Sequence, residues 1–581
     1  MKLIRRALRV VVAGLSLVSL ACGSDSTTGP VAPNPIVGVT VTARSTTSAV
    51  VTFTSNTGDA SYDLERAEGA TGSFAVVTSI PAPSAAGVVT YTDNGLKANT
   101  AYRYRVIANR GGVKSPASGE AAVTTMPFGF AAANINADIV ASRTLYADTA
   151  YTLAGFIHVA NGATLTIQPG TTIKGDFNTL GSTLMVMRGA KIQAVGTVDA
   201  PIVFTSSRAP GQRQPGDWGG LIIVGNAPNN RSGSVAIEGS GTDGSSVVSG
   251  KNYTVIYNGG TTPTDNSGTL SYVRVEFGGF APIQDQEFNS FTFAAVGSGT
   301  RASYLESLAG LDDSFEFFGG GFDLDHLVAF ETADDILDMS EGFSGRIQYV
   351  VAQNTVQLVP RTGAGFYSVD LEGIENDGCN GTGCDLGFDT APFTMPLIAN
   401  FTLIGCGQAS CMGASGGHGM MLRRGTGGYY VNGVLARWSA DGVSLRDIAT
   451  YNRAGASLTP SATADLQIRN VFFAETNNLL FQAPSATQNA LDAAANNLTL
   501  STASAASLFT SIPAVGTAPT SIAAFDFTPA AGSPIATGGL ATFTGAMLAK
   551  AGTFVTPTAY MGGVAPNGPK WFLTWTSYAR N

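Results

Sequence analysis

Charge is scarce in this chain of 581 residues: Asp, Glu, Lys and Arg together make up 13% of it. That is too little to coat the outer faces of many amphipathic helices. Histidine is scarcer still. The three that occur, His158, His326 and His418, are far apart in sequence, and a His-rich zinc site is not expected. Basic residues are outnumbered 32 to 41, which leaves a formal net charge of −9 and excludes nucleic acid as a partner, since phosphate binding draws on clustered Lys and Arg. In place of charge the chain has 71 glycines, with Ser, Thr and Ala filling much of the remainder. This composition suits short strands joined at tight corners, and the length allows one long solenoid with an accessory domain.

The most informative stretch is Leu311 to Gln348, which contains one pattern twice. Asp312, Asp313 and Glu316 recur 22 residues on as Asp334, Asp335 and Asp338, and at that offset Phe315 falls on Leu337, Phe317 on Met339, Gly320 on Gly342, and Leu305 on Leu327 and then Tyr349. A period in the twenties with strand-like alternation and glycine corners fits a solenoid, because one coil cannot bury its apolar face until a neighbour stacks on it. Two successive coils of a parallel β-helix are therefore predicted. Coils stack about 4.8 Å apart, so the acids should stand over one another in a ladder, with Phe315, Phe317, Leu337 and Met339 pointing the opposite way from Glu316 and Asp338.

At the start, Lys2, Arg5, Arg6 and Arg9 precede an apolar run from Val10 to Leu20 that is too short to span a bilayer, followed by Ala21 and Cys22. This resembles the lipobox of bacterial lipoproteins, which implies a signal peptide over residues 1–22, lipidation of Cys22, and an exported protein anchored to a membrane, at the bacterial outer membrane or cell surface. Ordinary signal-peptidase cleavage near Ala21 is the alternative. The other four cysteines form two equally spaced pairs, Cys379 with Cys384 and Cys406 with Cys411. An even count in an exported chain favours disulfides, a four-thiolate metal site being the alternative.

Residues 23–35 read as a flexible tether. Between 36 and 126, alternating runs recur at short intervals: Val37–Ala43, Ala49–Phe53, Ser61–Arg66, Phe74–Val77, Val88–Tyr91, Ala101–Val106 and Ala121–Thr125. Tyr91 to Val106 resembles the strand E to F region of a fibronectin type III domain, with Tyr102 in the tyrosine-corner position and Phe53 where that family carries Trp. The resemblance implies a β-sandwich acting as a spacer. From residue 140 to 581, Leu165–Lys174, Ala190–Ser206 and Gly216–Val224 resemble the opening coils of right-handed parallel β-helix proteins of the pectin-lyase-like type, and Asp526–Pro534 resembles their closing coil. Residues 229–268 read as an excursion from the helix wall. Coils resume at Leu270–Gly279, Leu397–Gly405, Tyr429–Arg446 and Leu466–Phe473, with Asn400, Asn432 and Asn470 as a possible amide ladder. A short helix is expected near 490–498, and the segment to Tyr578 is expected to cap the open end of the core. The fold expected is mainly β, a fibronectin type III sandwich followed by a right-handed parallel β-helix.

The acid ladder admits three readings. Asp312, Asp313, Glu316, Asp334, Asp335 and Asp338 can supply the hard oxygen ligands of a calcium site. Asp312, Asp313, Asp334 and Asp335 can act as acid and base on a polysaccharide. Or the acids simply face solvent. Gly417-His418-Gly419 with Asp-Asp pairs resembles polygalacturonases, but order and spacing differ from theirs, and His418 is read as a loop histidine. The function expected is a surface protein presenting its β-helix for glycan or cell-surface binding. The alternative is a carbohydrate-active enzyme, a lyase or glycoside hydrolase acting on acidic polysaccharide.

Overall fold

The computed structural model describes residues 31–578 apart from 45, 127–131, 241–246, 249–250, 253, 284–285, 366–367, 369, 456–461, 478–479 and 483–490. The expected signal segment and Cys22 lie outside the described residues. Two compact units are present, parting near Thr125.

The N-terminal unit is a β-sandwich. Thr40–Ala43, Ser48–Thr54 and Val88–Asn94 form a three-stranded antiparallel sheet, and Ala75–Pro81, Ser61–Glu68, Ala101–Arg110, Val113–Lys114 and Ala121–Thr124 form a five-stranded one. All seven expected strands are found, with Val113–Lys114 in addition. Alternation in Ala101–Arg110 turns Tyr102, Tyr104, Val106 and Ala108 inward against Val51, Phe53, Tyr62 and Leu64. Phe53 meets Tyr62 edge to face at 5.1 Å. The buried Tyr104 hydroxyl donates to Asp93 Oδ2 at 2.8 Å, and Arg66 donates to the same oxygen at 2.7 Å.

The C-terminal unit is a parallel β-helix. Its described strands form a ten-stranded sheet that starts at Phe156–Val159 and ends at Phe481–Gln482, and a 15-stranded sheet that runs from Ala132–Ile135 to Leu498–Ser501. Strands of successive coils pair in parallel and in phase, so inward residues stack on inward residues. Phe291 stacks on Phe315 at 5.1 Å, and Phe293 on Phe317 at 5.4 Å. Phe315, Phe317, Leu337 and Met339 all lie in the core, as the alternation predicts.

The long strands of the larger sheet bend at one column of residues. Tyr272, Tyr304, His326, Tyr349, Asn400, Asn432 and Asn470 each have φ between 50° and 68°. Asn tolerates this left-handed region better than most residues. The three asparagines do share one column of bends, but their amides bond Thr558, Gly562 and Gly538 rather than one another, so the expected amide ladder is corrected. The aromatic members stack instead, Tyr272 on Tyr304 at 4.3 Å and Tyr304 on His326 at 4.4 Å. One register differs from expectation: Leu327 pairs with Val350, and Tyr349 falls on His326. The corner between Ser340 and Arg346 is one residue longer than that between Phe318 and Asp323, which shifts the offset from 22 to 23.

Three further expectations are corrected. Residues 493–497 form turns, and Leu498–Ser501 is a strand. Asp526–Pro529 pairs antiparallel with Phe509–Ser511, so it is not a closing coil of the helix. The C-terminal segment also does not cover the end of the core. It runs back along the outer face of the larger sheet, where Phe509, Phe525, Phe527, Phe572, Trp575 and Tyr578 pack against Phe277, Leu308, Phe330, Val351, Val434 and Phe472. Outward apolar residues on seven successive strands, from Gly268–Glu276 to Leu466–Ala474, require such a cover. Polar anchors fix its path: Gly562 N donates to Asn432 O at 2.8 Å, Arg346 to Ala551 O at 2.9 Å, and Ser577 N to both oxygens of Glu306 at 3.0 Å.

Candidate functional site

With that face covered, the chemistry is concentrated on the ten-stranded sheet. Three strands matter, Phe315–Gly320, Leu337–Ser340 and Ile374–Asp377, each entered through a sharp corner. Period-two alternation sends the second residue of each outward, and the parallel register stacks them: Glu316 on Asp338, Asp338 on Glu375. The corners stack in the same way. Ser314 N donates to Asp335 O, Ile336 N to Glu372 O and Gly373 N to His418 O, at 2.9, 3.1 and 3.0 Å. Asp313, Asp335, Glu372 and His418 are therefore successive rungs of one column. Side chains reinforce it: Asp335 N donates to Asp313 Oδ1 at 2.8 Å and Asp313 N to Asn289 Oδ1 at 2.9 Å.

These rungs line a cleft of about 570 Å³ whose wall holds thirteen carboxylates and three arginines. The corners supply Asp312, Asp313, Asp334, Asp335 and Glu372; the strands of the ten-stranded sheet supply Glu316, Asp338, Glu375 and Asp377; the short strand Gln286–Phe288 supplies Glu287, and loops supply Glu238, Glu341 and Asp370. If all were ionised the cleft would hold ten more negative than positive charges, against −9 for the whole chain. The chain's acidity is thus confined to one place, and the rest is nearly neutral.

All three arginines are committed to this wall. Arg423 bonds Glu375 and, at 2.8 Å, Asp377; Arg424 bonds Asp377; Arg231 bonds Glu341. Arg231 is held from behind by the loop that the Cys379–Cys384 disulfide closes, through Thr382 O at 2.6 Å. The second expected disulfide, Cys406–Cys411, is also formed. The excursion after residue 229 is thereby part of the site, supplying both Arg231 and Glu238.

Several of the remaining carboxylates are deeply buried or hold an unpaired oxygen. Asp312 is 6%, Asp335 4% and Glu372 1% exposed, and Asp312 Oδ1, Asp335 Oδ1, Asp338 Oδ1 and both oxygens of Glu372 lack a hydrogen-bond partner. A buried carboxylate without a partner costs several kcal/mol to ionise. Mutual repulsion adds about 3 kcal/mol per pair at 4.8 Å and an effective dielectric near 20. Burial first, and the neighbouring acids second, accordingly push Asp312, Asp313, Glu316, Asp335 and Asp338 well above the usual carboxylate range. Burial raises Glu375 to about 8, and Glu341 to about 7 in spite of Arg231.

Every acid named from the sequence is on this wall. The structure adds Glu372 and Glu375, which the 22-residue period did not reveal because a loop separates their coil from the one before. His418 is a loop histidine, as expected, and its loop is the corner one coil beyond Glu372. Its ring does not line the cleft. Nε2 faces Arg446 at 2.8 Å, and burial, with the Arg446 charge, lowers it to about 4, so the ring is neutral at pH 7.

Among the described residues, three groups of carboxylates place one oxygen each within 4.8 Å of the others: Asp312, Asp313 and Asp334; Asp313, Glu316 and Asp338; Asp335, Asp338 and Glu375. With oxygen donors alone and no nitrogen or sulfur among them, this set suits hard divalent cations.

Comparison with known proteins gives two results. The family described as pectate-lyase like beta helix domain matches residues 137–512. Among solved structures, an Fn3-like protein from Clostridium thermocellum is 25% identical over 17% of this chain and 100% of its own, with a TM-score of 0.15. The fibronectin type-III domain of human fibronectin type III domain containing protein 3 is 24% identical over 18% and 94%, also at 0.15. Two titin structures match 16% of this chain each, and the chain spans 17% and 32% of their lengths. No curated protein matches the chain.

Proposed function

The chain belongs to the pectate-lyase like β-helix family, and from that premise we propose that it binds acidic polysaccharide through divalent cations, of which calcium is the first candidate, held on the carboxylate wall. One observation carries the reading: buried, unpartnered carboxylate oxygens on adjacent coils converge on a single cleft. Protons or cations must neutralise them, and a cation that keeps coordination positions open can also take the carboxylates of a polyuronate. The wall alone repels such a polymer. With cations in place it attracts it. The arginines support binding rather than turnover, because each already holds a wall carboxylate. We further propose that the lipobox-like segment exports the chain and that Cys22 anchors it at a bacterial outer membrane or cell surface.

Retention of the purified protein on immobilised polygalacturonate tests the reading. Retention is expected in calcium chloride, with loss on adding a chelator and in the Asp334→Ala variant. Equal retention with and without chelator would overturn it. A cleaving function is the second reading, favoured by Glu375 and Glu341, which retain a proton near neutral pH as a general acid must. Release of reducing ends or unsaturated uronates from the same polymer would establish it.

A further inference from the structure

The three carboxylate groups overlap in a specific way. The first, on Asp312, Asp313 and Asp334, shares no residue with the third, on Asp335, Asp338 and Glu375, whereas the middle group borrows Asp313 from one and Asp338 from the other. The two end groups lie one coil apart along the solenoid, about 4.8 Å by strand spacing. We propose that the cleft binds two divalent cations at once, one at each end group, with the middle group coupling them. The proposal rests on the reading of the cleft as a cation site and specifies its occupancy.

Charge and donor number both accommodate more than one ion. The three groups comprise seven carboxylates, and Arg423 is the cation that bonds Glu375. A single divalent ion leaves a net four negative charges among them, and two leave two. Seven carboxylates provide fourteen oxygens. At least three are engaged by protein donors, Asp313 Oδ1 by Asp335 N, Glu316 Oε2 by Asn289, and Glu375 Oε1 by Arg423, and Asp334 is not counted as free. The rest, with water, suffice for two ions of six to eight ligands each. The independent sign of a ligand is the set of buried oxygens that nothing else satisfies. Asp312 Oδ1 belongs to the first group, and Asp335 Oδ1 and Asp338 Oδ1 to the third. Each end therefore holds unmet demand.

Calcium titration of the full protein by isothermal calorimetry, with native mass spectrometry for the count, decides the matter. Two equivalents are expected for the unaltered chain. Asp312→Asn should retain one, Glu375→Gln should retain one, and the double variant none. Each change removes a repelling charge, so the variants should remain folded, which a thermal melt in chelator checks. One equivalent in the unaltered chain, or loss of all binding in either single variant, would overturn the two-ion arrangement while leaving a cation site in place. No calcium uptake by the unaltered chain would overturn both this proposal and the reading on which it rests.

Discussion

Glu372 is 1% exposed and has neither oxygen satisfied, so its carboxylate is the least compensated group in the cleft. Glu372→Gln should raise the melting temperature of chelated protein, corresponding to about 1–3 kcal/mol, and leave the further rise on adding calcium in place, since Glu372 is in none of the three carboxylate groups; paired melts with and without calcium check both. The same burial predicts an uncommon pH dependence. Carboxylates whose folded values lie above their unfolded ones stabilise the fold below the unfolded value and lose that stabilisation as pH rises through the folded value. Glu375 at about 8 and Glu341 at about 7, against 4.5 for a free Glu, set the window. Chelated protein should become less stable as pH increases from about 4.5 to 8, and calcium should flatten the curve. Of these groups, Asp312, Asp313, Glu316, Asp334, Asp335 and Asp338 were legible in the sequence because two coils follow one another without interruption. Glu372 and Glu375 were not, because residues 355–370 break the period before their coil begins.

The bend column shows what one element can hide. A strand that turns through a left-handed residue continues its hydrogen bonding on both sides, so Gly268–Glu276 pairs with Lys191–Val195 before the bend and with Ile202–Ser206 after it. Two strands of the early coils thus become one in the later coils. The asparagines at the bend were visible as residues that tolerate it. Tyr304 and His326 were not, since their φ values of 54° and 59° are imposed by stacking with coils above and below. Asn432 also accepts from Leu540 N at 2.6 Å and donates to Thr558 O at 3.2 Å. Asn432→Ala should cost about 2–4 kcal/mol, from backbone strain and lost hydrogen bonds, and Asn432→Gly distinctly less, because glycine keeps the bend. Denaturant midpoints of the two variants separate the terms.

At the scale of the molecule, β-helix architecture was readable from apolar strands, glycine corners and the 22-residue offset, all local patterns. The course of residues 505–578 was not, because their partners lie hundreds of residues earlier and nothing in either stretch marks the pairing. A chain ending at residue 504 should keep its parallel coils in circular dichroism but aggregate, since Phe277, Leu308, Phe330, Val351 and Phe472 would then be bare. The order of anchorage has a temporal corollary. Ser577 meets Glu306, and Tyr578 meets Glu331, so these residues seal coils made 271 and 247 residues before them. Rungs can zip together while the ribosome is still at work, but the hydrophobic flank stays unsealed until residues 505–578 have been made, which makes synthesis of that segment the step that closes the outer face.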